Sequence, residues 1–119
     1  MHWRKMKVWK ASHEMVLEIY RVAAGFPNSE KFGLADQLKR AAASVPANIV
    51  EGQSRNTTRE YLQFLYNARG SLEEARYFIL LSRDLQFISS GKYDDLEAKY
   101  KDISIMLNNL IKSLKTAQR

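Results

Sequence analysis

The chain has 119 residues, of which 45% are hydrophobic, enough for one domain with a single core. It contains no cysteine, which excludes disulfides and thiolate metal sites, and its five glycines and two prolines favour long helices over a sheet. Nineteen basic and 13 acidic residues give a net charge of +6, which suits polyanionic partners. We therefore expect one all-α domain spanning residues 1–119.

The first two helices are predicted over about residues 5–24 and 30–53. Apolar residues recur along one face of the first, and the Gly25, Phe26, Pro27 segment ends it. The core face of the second consists of Leu34, Leu38, Ala41, Val45 and Ile49. Pro46 falls inside this period and removes a backbone hydrogen bond, so we expect the second helix to be kinked at Pro46.

A second stripe lies beside that apolar face, and its members are polar or charged. On a helix they share an arc roughly 80° wide, and they are Gln37, Arg40, Ser44, Asn48, Glu51 and Arg55. Buried polar side chains need partners, so this polar strip should meet another helix, another subunit or a polymer. A structural role, as a subunit interface or a buried polar network, is the favoured interpretation.

The last two helices are predicted over about residues 57–86 and 92–116. Thr57 stands three residues before Glu60, the spacing of a capping box. Gly70 predicts either a close approach of another backbone or a merely tolerated glycine. The fourth helix carries a coiled-coil-type seam at Tyr93, Leu96, Tyr100, Ile103, Leu107, Leu110 and Leu114. Ile105 and Met106 fall outside this seam and are candidates for an oligomer contact.

Four long helices with short connections predict an antiparallel up-down-up-down four-helix bundle. In it, the start of the first helix, the turn between the second and third, and the end of the fourth share one pole. The cations of that pole are Arg4, Lys5, Lys7, Lys10, Arg55, Arg59, Lys112, Lys115 and Arg119. Cations at a helix N-terminus oppose its macrodipole, so those of the first helix need another explanation, and a phosphate backbone is a natural one.

Trp3 and Trp9 lie among the cations of the first helix. A mixture of cations and aromatic rings can stack on bases, although burial at an interface is the commoner use of such rings.

No constellation typical of an enzyme is found. The only histidines, His2 and His13, form no metal-ligating set, and Leu17 stands where a zincin helix carries its second histidine. The nucleophile elbow, the Walker A loop and the dinucleotide-binding motif are also missing. We expect a non-enzymatic protein without cofactor or metal. The N-terminus lacks a secretory apolar segment and no run of about 18 apolar residues occurs, so a cytoplasmic protein that does not span a membrane is expected.

Several segments resemble the 23S rRNA-intervening sequence proteins. They are KVWKAS at 7–12, FP at 26–27, FGLADQLKRAAASVPANIVEGQSR at 32–55, YLQFLYNARGSLEEA at 61–75 and LNNLIKSLK at 107–115. The patterns SxPxNIxEG and AxGSLxE within them are the most specific. The chain departs mildly from the family, with Lys39 where arginine is usual and Val50 where alanine is frequent.

The resemblance implies a left-handed four-helix bundle that assembles into a homo-oligomeric ring, typically a pentamer, without known enzymatic activity. The chain is also similar to the accessory variability determinant proteins of diversity-generating retroelements, basic barrels that bind nucleic acid and a reverse transcriptase. A ring would align all basic poles on one side. We therefore expect a ring-forming protein that binds nucleic acid, with RNA favoured and ribosomal RNA one candidate, through phosphates. The alternative is a scaffold that docks an acidic partner protein, including a reverse transcriptase.

Overall fold

The computed structural model describes residues 2–117, which form four α-helices. These are α1 (Lys7–Ala23), α2 (Leu34–Gln53), α3 (Thr58–Asp84) and α4 (Ser90–Ala117). They pack into a bundle with principal extents of 48 × 24 × 21 Å. The predicted all-α four-helix bundle is confirmed. Within the described range, no helix combines the length and the apolar character needed to cross a bilayer.

Consecutive helices run antiparallel, and α4 returns beside α1. Three side-chain contacts mark these pairings: Ser71 with Ser44 between α3 and α2, Arg76 with Glu97 between α3 and α4, and Lys99 with Glu18 between α4 and α1. Because of this topology, the start of α1 and the end of α4 both lie beside the first turns of α3.

The core is a column of apolar side chains contributed by all four helices. The core face predicted for α2 is confirmed, since all five of its residues are buried. Among residues 2–117, the buried polar side chains are Ser12 and Ser82. Each donates a hydrogen bond to a backbone carbonyl of its own helix, at Trp9 and Phe78 respectively, so neither leaves its hydroxyl unpaired.

Local turn chemistry shifts the helix starts away from the predicted residues. A 3₁₀ turn at Trp3–Lys5 precedes α1, and a second one at Asn28–Glu30 precedes α2. The Glu30 Oε1 atom accepts a hydrogen bond from the Leu34 amide at 3.0 Å, so α2 is capped from outside the helix and begins at residue 34. At the start of α3, the Thr57 hydroxyl accepts from the Glu60 amide at 3.1 Å, as the capping spacing predicts.

Two glycines of α2 and α3 differ in what surrounds them. Gly70 has open space around it, since a Cβ built there would meet no atom within 4 Å, so the close backbone approach considered for this residue is not found in the chain. The close approach occurs at Gly52, whose added Cβ would lie 2.8 Å from Tyr61 Cδ1 and 3.0 Å from Phe64 Cβ. Pro46 is buried, and α2 continues as a helix on both sides of it. The kink expected at this residue stays a prediction.

The buried face of α4 shifts gradually around the helix axis towards its C-terminus. Leu96, Tyr100, Ile103 and Leu107 are buried as predicted, but Ile111 is the next buried residue, while Leu110 and Leu114 are only half-buried. A straight helix rotates about 20° per heptad relative to a 3.5-residue repeat, which explains the shift. Outside the seam, Ile105 is 61% exposed as expected. Met106, the second candidate for an oligomer contact, is only partly exposed and packs against the core of its own chain.

Candidate nucleic-acid interface

The cations predicted to share one pole come from three elements that meet around the first turns of α3. The Tyr61 hydroxyl lies 3.9 Å from the Met6 sulfur, which ties the start of α1 to the start of α3. The Lys115 Nζ atom lies 5.5 Å from the centre of the Tyr66 ring, which brings the end of α4 to the same end of the bundle but to another side of α3, because Tyr66 follows Tyr61 by five helical positions. We call the resulting surface the basic end, and its members are Arg4, Lys5, Lys7, Lys10, Arg55, Arg59, Lys112 and Lys115. Arg119, the ninth predicted member, lies outside the described residues.

All members of the basic end are exposed, and acidic neighbours are scarce. Arg55 pairs with Glu51 at 2.9 Å, and its guanidinium also lies 4.5 Å from the centre of the Phe64 ring. Between residues 2 and 117, no other cation of the basic end forms an ion pair. The ion pairs of the other charged residues lie elsewhere on the bundle. The positive charge of this surface is therefore available to an external anion.

The N-terminus of α1 increases this positive character. Its first turn contains no acidic residue, and its N-cap, Met6, provides no side-chain hydrogen bond. Lys7 and Lys10 stand where the macrodipole is already positive, an arrangement that costs about 0.3–1 kcal/mol for each charge. The unsatisfied amides, the helix dipole and the lysines all attract anions, so a bound phosphate would relieve this repulsion.

Four aromatic side chains follow one another along the same stretch of chain. The ring centroids are 4.9 Å apart for His2 and Trp3, 4.8 Å for Trp3 and Trp9, and 5.0 Å for Trp9 and His13. We call this set the ring row. Sequence analysis placed the two tryptophans among the cations but missed the histidines. The i, i+4 spacing of Trp9 and His13 is a signal that could have found one of them.

The polar strip meets α3 through Ser44 at its centre and through Arg55, which lies over the Phe64 ring, at its end. The Ser44 hydroxyl accepts a hydrogen bond from Ser71 of α3 at 2.8 Å and one from the Asn48 amide at 3.0 Å. Arg40 is exposed and pairs with Asp36 of its own helix at 2.9 Å rather than with a neighbouring helix. Gln37, Glu51 and Arg55 are exposed as well, and a subunit interface stays open as the role of this face.

A partly buried carboxylate with two lysine partners lies away from the basic end, between α1 and α4. Glu18 accepts hydrogen bonds at 2.8 Å from both Lys92 and Lys99. Burial acts to raise the pKa of Glu18, but the hydrogen bonds and charges of the two lysines outweigh it and lower the pKa to about 2. The ion pairs of Glu18 with Lys92 and Lys99 join α1 to α4. In the described part of the chain, no group of three or more histidine or acidic side chains is placed to hold a metal ion.

Comparison with known proteins adds the following. The model of the 23S rRNA-intervening sequence protein family matches residues 4–109. The chain is similar to the crystal structure of a protein of unknown function from the S23 ribosomal protein family of Bacteroides thetaiotaomicron VPI-5482. The TM-score is 0.84 at 23% identity, and the match covers 94% of this chain and 99% of that chain, a likeness in fold. Comparison with curated proteins gives no significant match. Because the family model spans most of the chain, from the 3₁₀ turn before α1 into α4, this protein belongs to the 23S rRNA-intervening sequence protein family.

Proposed function

We propose that this protein is a non-enzymatic, ring-forming protein that binds nucleic acid, with RNA favoured, through phosphate contacts at the basic end. One observation carries the proposal. The exposed cations come from three separate elements that share one end of the bundle, and apart from Arg55 they form no ion pair within residues 2–117. Such a surface costs self-repulsion, which a polyanion relieves.

Phosphate contacts of this kind give affinity without strong base specificity. The cations belong to flexible lysine and arginine side chains on helix termini and a turn, which can follow a backbone but do not form a pocket for one base. Binding then derives mainly from release of counterions that were condensed on the nucleic acid. The affinity should therefore depend steeply on salt concentration.

Assembly into a ring would increase the positive charge that faces a bound nucleic acid. Cyclic symmetry places the same surface of every protomer on one side of the assembly. Five copies of a chain with net charge +6 would carry about 30 positive charges, and the basic ends would form one continuous annulus. The exposed members of the polar strip and Ile105 are candidate contacts between protomers.

A salt titration of the full-length protein tests the proposal. Fluorescence anisotropy of a labelled single-stranded RNA measures the affinity, and sedimentation of the same sample measures the size of the assembly. Contact with about 6 to 10 phosphates predicts a loss of about 10³ to 10⁵ in affinity between 50 and 200 mM salt. A flat salt response would exclude this binding mode, and a monomer in sedimentation would exclude the ring.

A further inference from the structure

The ring row is held in place by the fold rather than left as a mobile tail. The His2 Nδ1 atom accepts a hydrogen bond from the Arg4 amide at 3.2 Å, and the Met6 amide donates to the Trp3 carbonyl at 3.0 Å, which together close the 3₁₀ turn. Met6 then anchors the turn, since its side chain is buried under Tyr61. The turn therefore folds the start of the chain back so that Trp3 lies against Trp9.

The row has one side against the bundle and one side towards solvent. Trp3 and Trp9 are partly buried and pack against the core, whereas the rings of His2 and His13 are exposed. His13 lies nearly parallel to Trp9, with 6° between the ring planes, and His2 is stacked on Trp3 with 29° between the planes. Trp3 and Trp9 meet edge to face at 60°, so the ring row consists of two stacked pairs, each of which ends in an exposed imidazole. A preorganised pair of this kind can be extended by another planar ring with little loss of conformational entropy.

Cations occur in the segment that carries the ring row, and one of them contacts it. The Arg4 guanidinium lies 5.0 Å from the centre of the Trp3 ring. Lys5, Lys7 and Lys10 occur in the same segment and are exposed, and no ion pair involves them among the described residues. A ligand that suits both features has planar rings and regularly spaced negative charges.

We infer that the ring row stacks with unpaired bases, so that the protein prefers single-stranded nucleic acid to a duplex of the same length. This inference rests on the proposed function and adds a selectivity to it. Bases of a single strand can leave their neighbours and stack on protein rings while the phosphates contact Arg4 and the lysines. In a duplex the base faces are already stacked on one another, so only the phosphate contacts are available.

Intrinsic fluorescence reports on the row directly, because the chain contains two tryptophans and both belong to it. Three probes are titrated separately into the full-length protein. They are a 12-residue oligo(U) RNA, the same strand paired with oligo(A), and inorganic polyphosphate, which has no bases. We expect oligo(U) to quench the tryptophan fluorescence as it binds, and polyphosphate to bind without quenching. Quenching by polyphosphate equal to that by oligo(U) would overturn the inference.

Substitution separates stacking from charge. Trp3→Leu keeps apolar bulk and net charge but removes the ring on which His2 is stacked. We expect it to weaken oligo(U) binding by about 5- to 150-fold, as for the loss of one base stack, while duplex binding changes less than about 2-fold. His13→Leu, at an exposed position, is expected to act in the same direction. The matched control is Phe32→Leu, since Phe32 is 88% exposed and has Lys31 over its ring but lies in the connection between α1 and α2.

Different results would overturn the stacking inference and the proposed nucleic-acid binding. Equal weakening of single strand and duplex by Trp3→Leu, or an equal effect of Phe32→Leu, would overturn the stacking inference and leave salt-dependent binding intact. If none of the three probes binds, the proposed function itself is wrong and the inference falls with it.

Discussion

Neutralising Glu18 should weaken the connection between α1 and α4 in a manner that depends on pH. The carboxylate accepts hydrogen bonds from Lys92 and Lys99, and its side chain is only 14% exposed. Glu18→Gln preserves the shape and one carbonyl oxygen but removes the charge that both lysines approach. The two ammonium groups would then keep only the exposed Asp95 carboxylate, 3.8 Å from Lys92 and 3.2 Å from Lys99, as an acidic partner among the described residues.

The magnitude follows from the pKa. Lowering the pKa of Glu18 from 4.5 to about 2 corresponds to at most about 3.4 kcal/mol of stabilisation, at about 1.36 kcal/mol per pH unit. Lys92 and Lys99 are 39% and 47% exposed, so solvent screens much of this interaction. We therefore expect Glu18→Gln to lower the free energy of unfolding by about 1–2 kcal/mol at neutral pH.

The sign of the pH dependence is fixed by the direction of the shift. Because the folded pKa of Glu18 lies below the unfolded one, its stabilisation is complete above about pH 4.5 and is lost as the pH falls towards 2. Urea denaturation of wild type and variant at pH 7 and pH 3 measures the difference. The control is Glu14→Gln, an exposed residue one turn earlier on the same groove. A difference that is the same at both pH values, or that Glu14→Gln reproduces, would refute the reasoning.

Three further substitutions test packing and assembly. Gly52→Ala should destabilise the fold by about 1–3 kcal/mol in urea denaturation, because the new Cβ meets Tyr61, whereas Gly70→Ala should stabilise it by up to about 1 kcal/mol; equal effects would contradict the packing described. Tyr100→Phe should be neutral or stabilising, since the buried Tyr100 hydroxyl has no hydrogen-bond partner among the described residues, and a clear loss of stability would contradict this. Arg40→Ala should shift the assembly towards smaller species in sedimentation, and an unchanged ring would refute the interface role of the polar strip.

Hydrophobic periodicity was sufficient to predict the number of helices and most of the core. The buried face of α2 follows from residue types alone, because burial of an apolar stripe dominates the placement of a helix in a bundle. Periodicity was less informative near helix ends. The start of α2 depends on one hydrogen bond from Leu34 to Glu30, and the last turns of α4 bury Ile111 because small rotations accumulate along a helix of 28 residues.

The charge of the candidate site was easier to predict than its rings. Topology alone brings the start of α1 and the end of α4 to one end of a four-helix bundle, so the cations could be grouped from the sequence. The ring row could not be found in this way. It depends on a 3₁₀ turn that is closed by His2 and anchored by Met6 under Tyr61, and that contact joins residues 55 positions apart.

Charge reversal with a matched control tests whether RNA binds at the basic end. The test variant carries Lys5→Glu, Lys7→Glu, Lys112→Glu and Lys115→Glu. The control carries Arg21→Glu, Lys31→Glu, Lys39→Glu and Lys101→Glu, which give the same net charge at other positions. A glutamate at position 7 agrees with the macrodipole of α1, whereas glutamates at positions 112 and 115 oppose that of α4, so circular dichroism of both variants checks that they fold.

Anisotropy with single-stranded RNA at several salt concentrations then compares the two variants. We predict that the slope of log affinity against log salt falls by about four in the test variant, one unit for each phosphate contact removed, and changes little in the control. Equal losses in both variants would show that net charge alone governs binding. RNA binding that survives reversal of all four lysines would exclude the basic end as the RNA-binding surface.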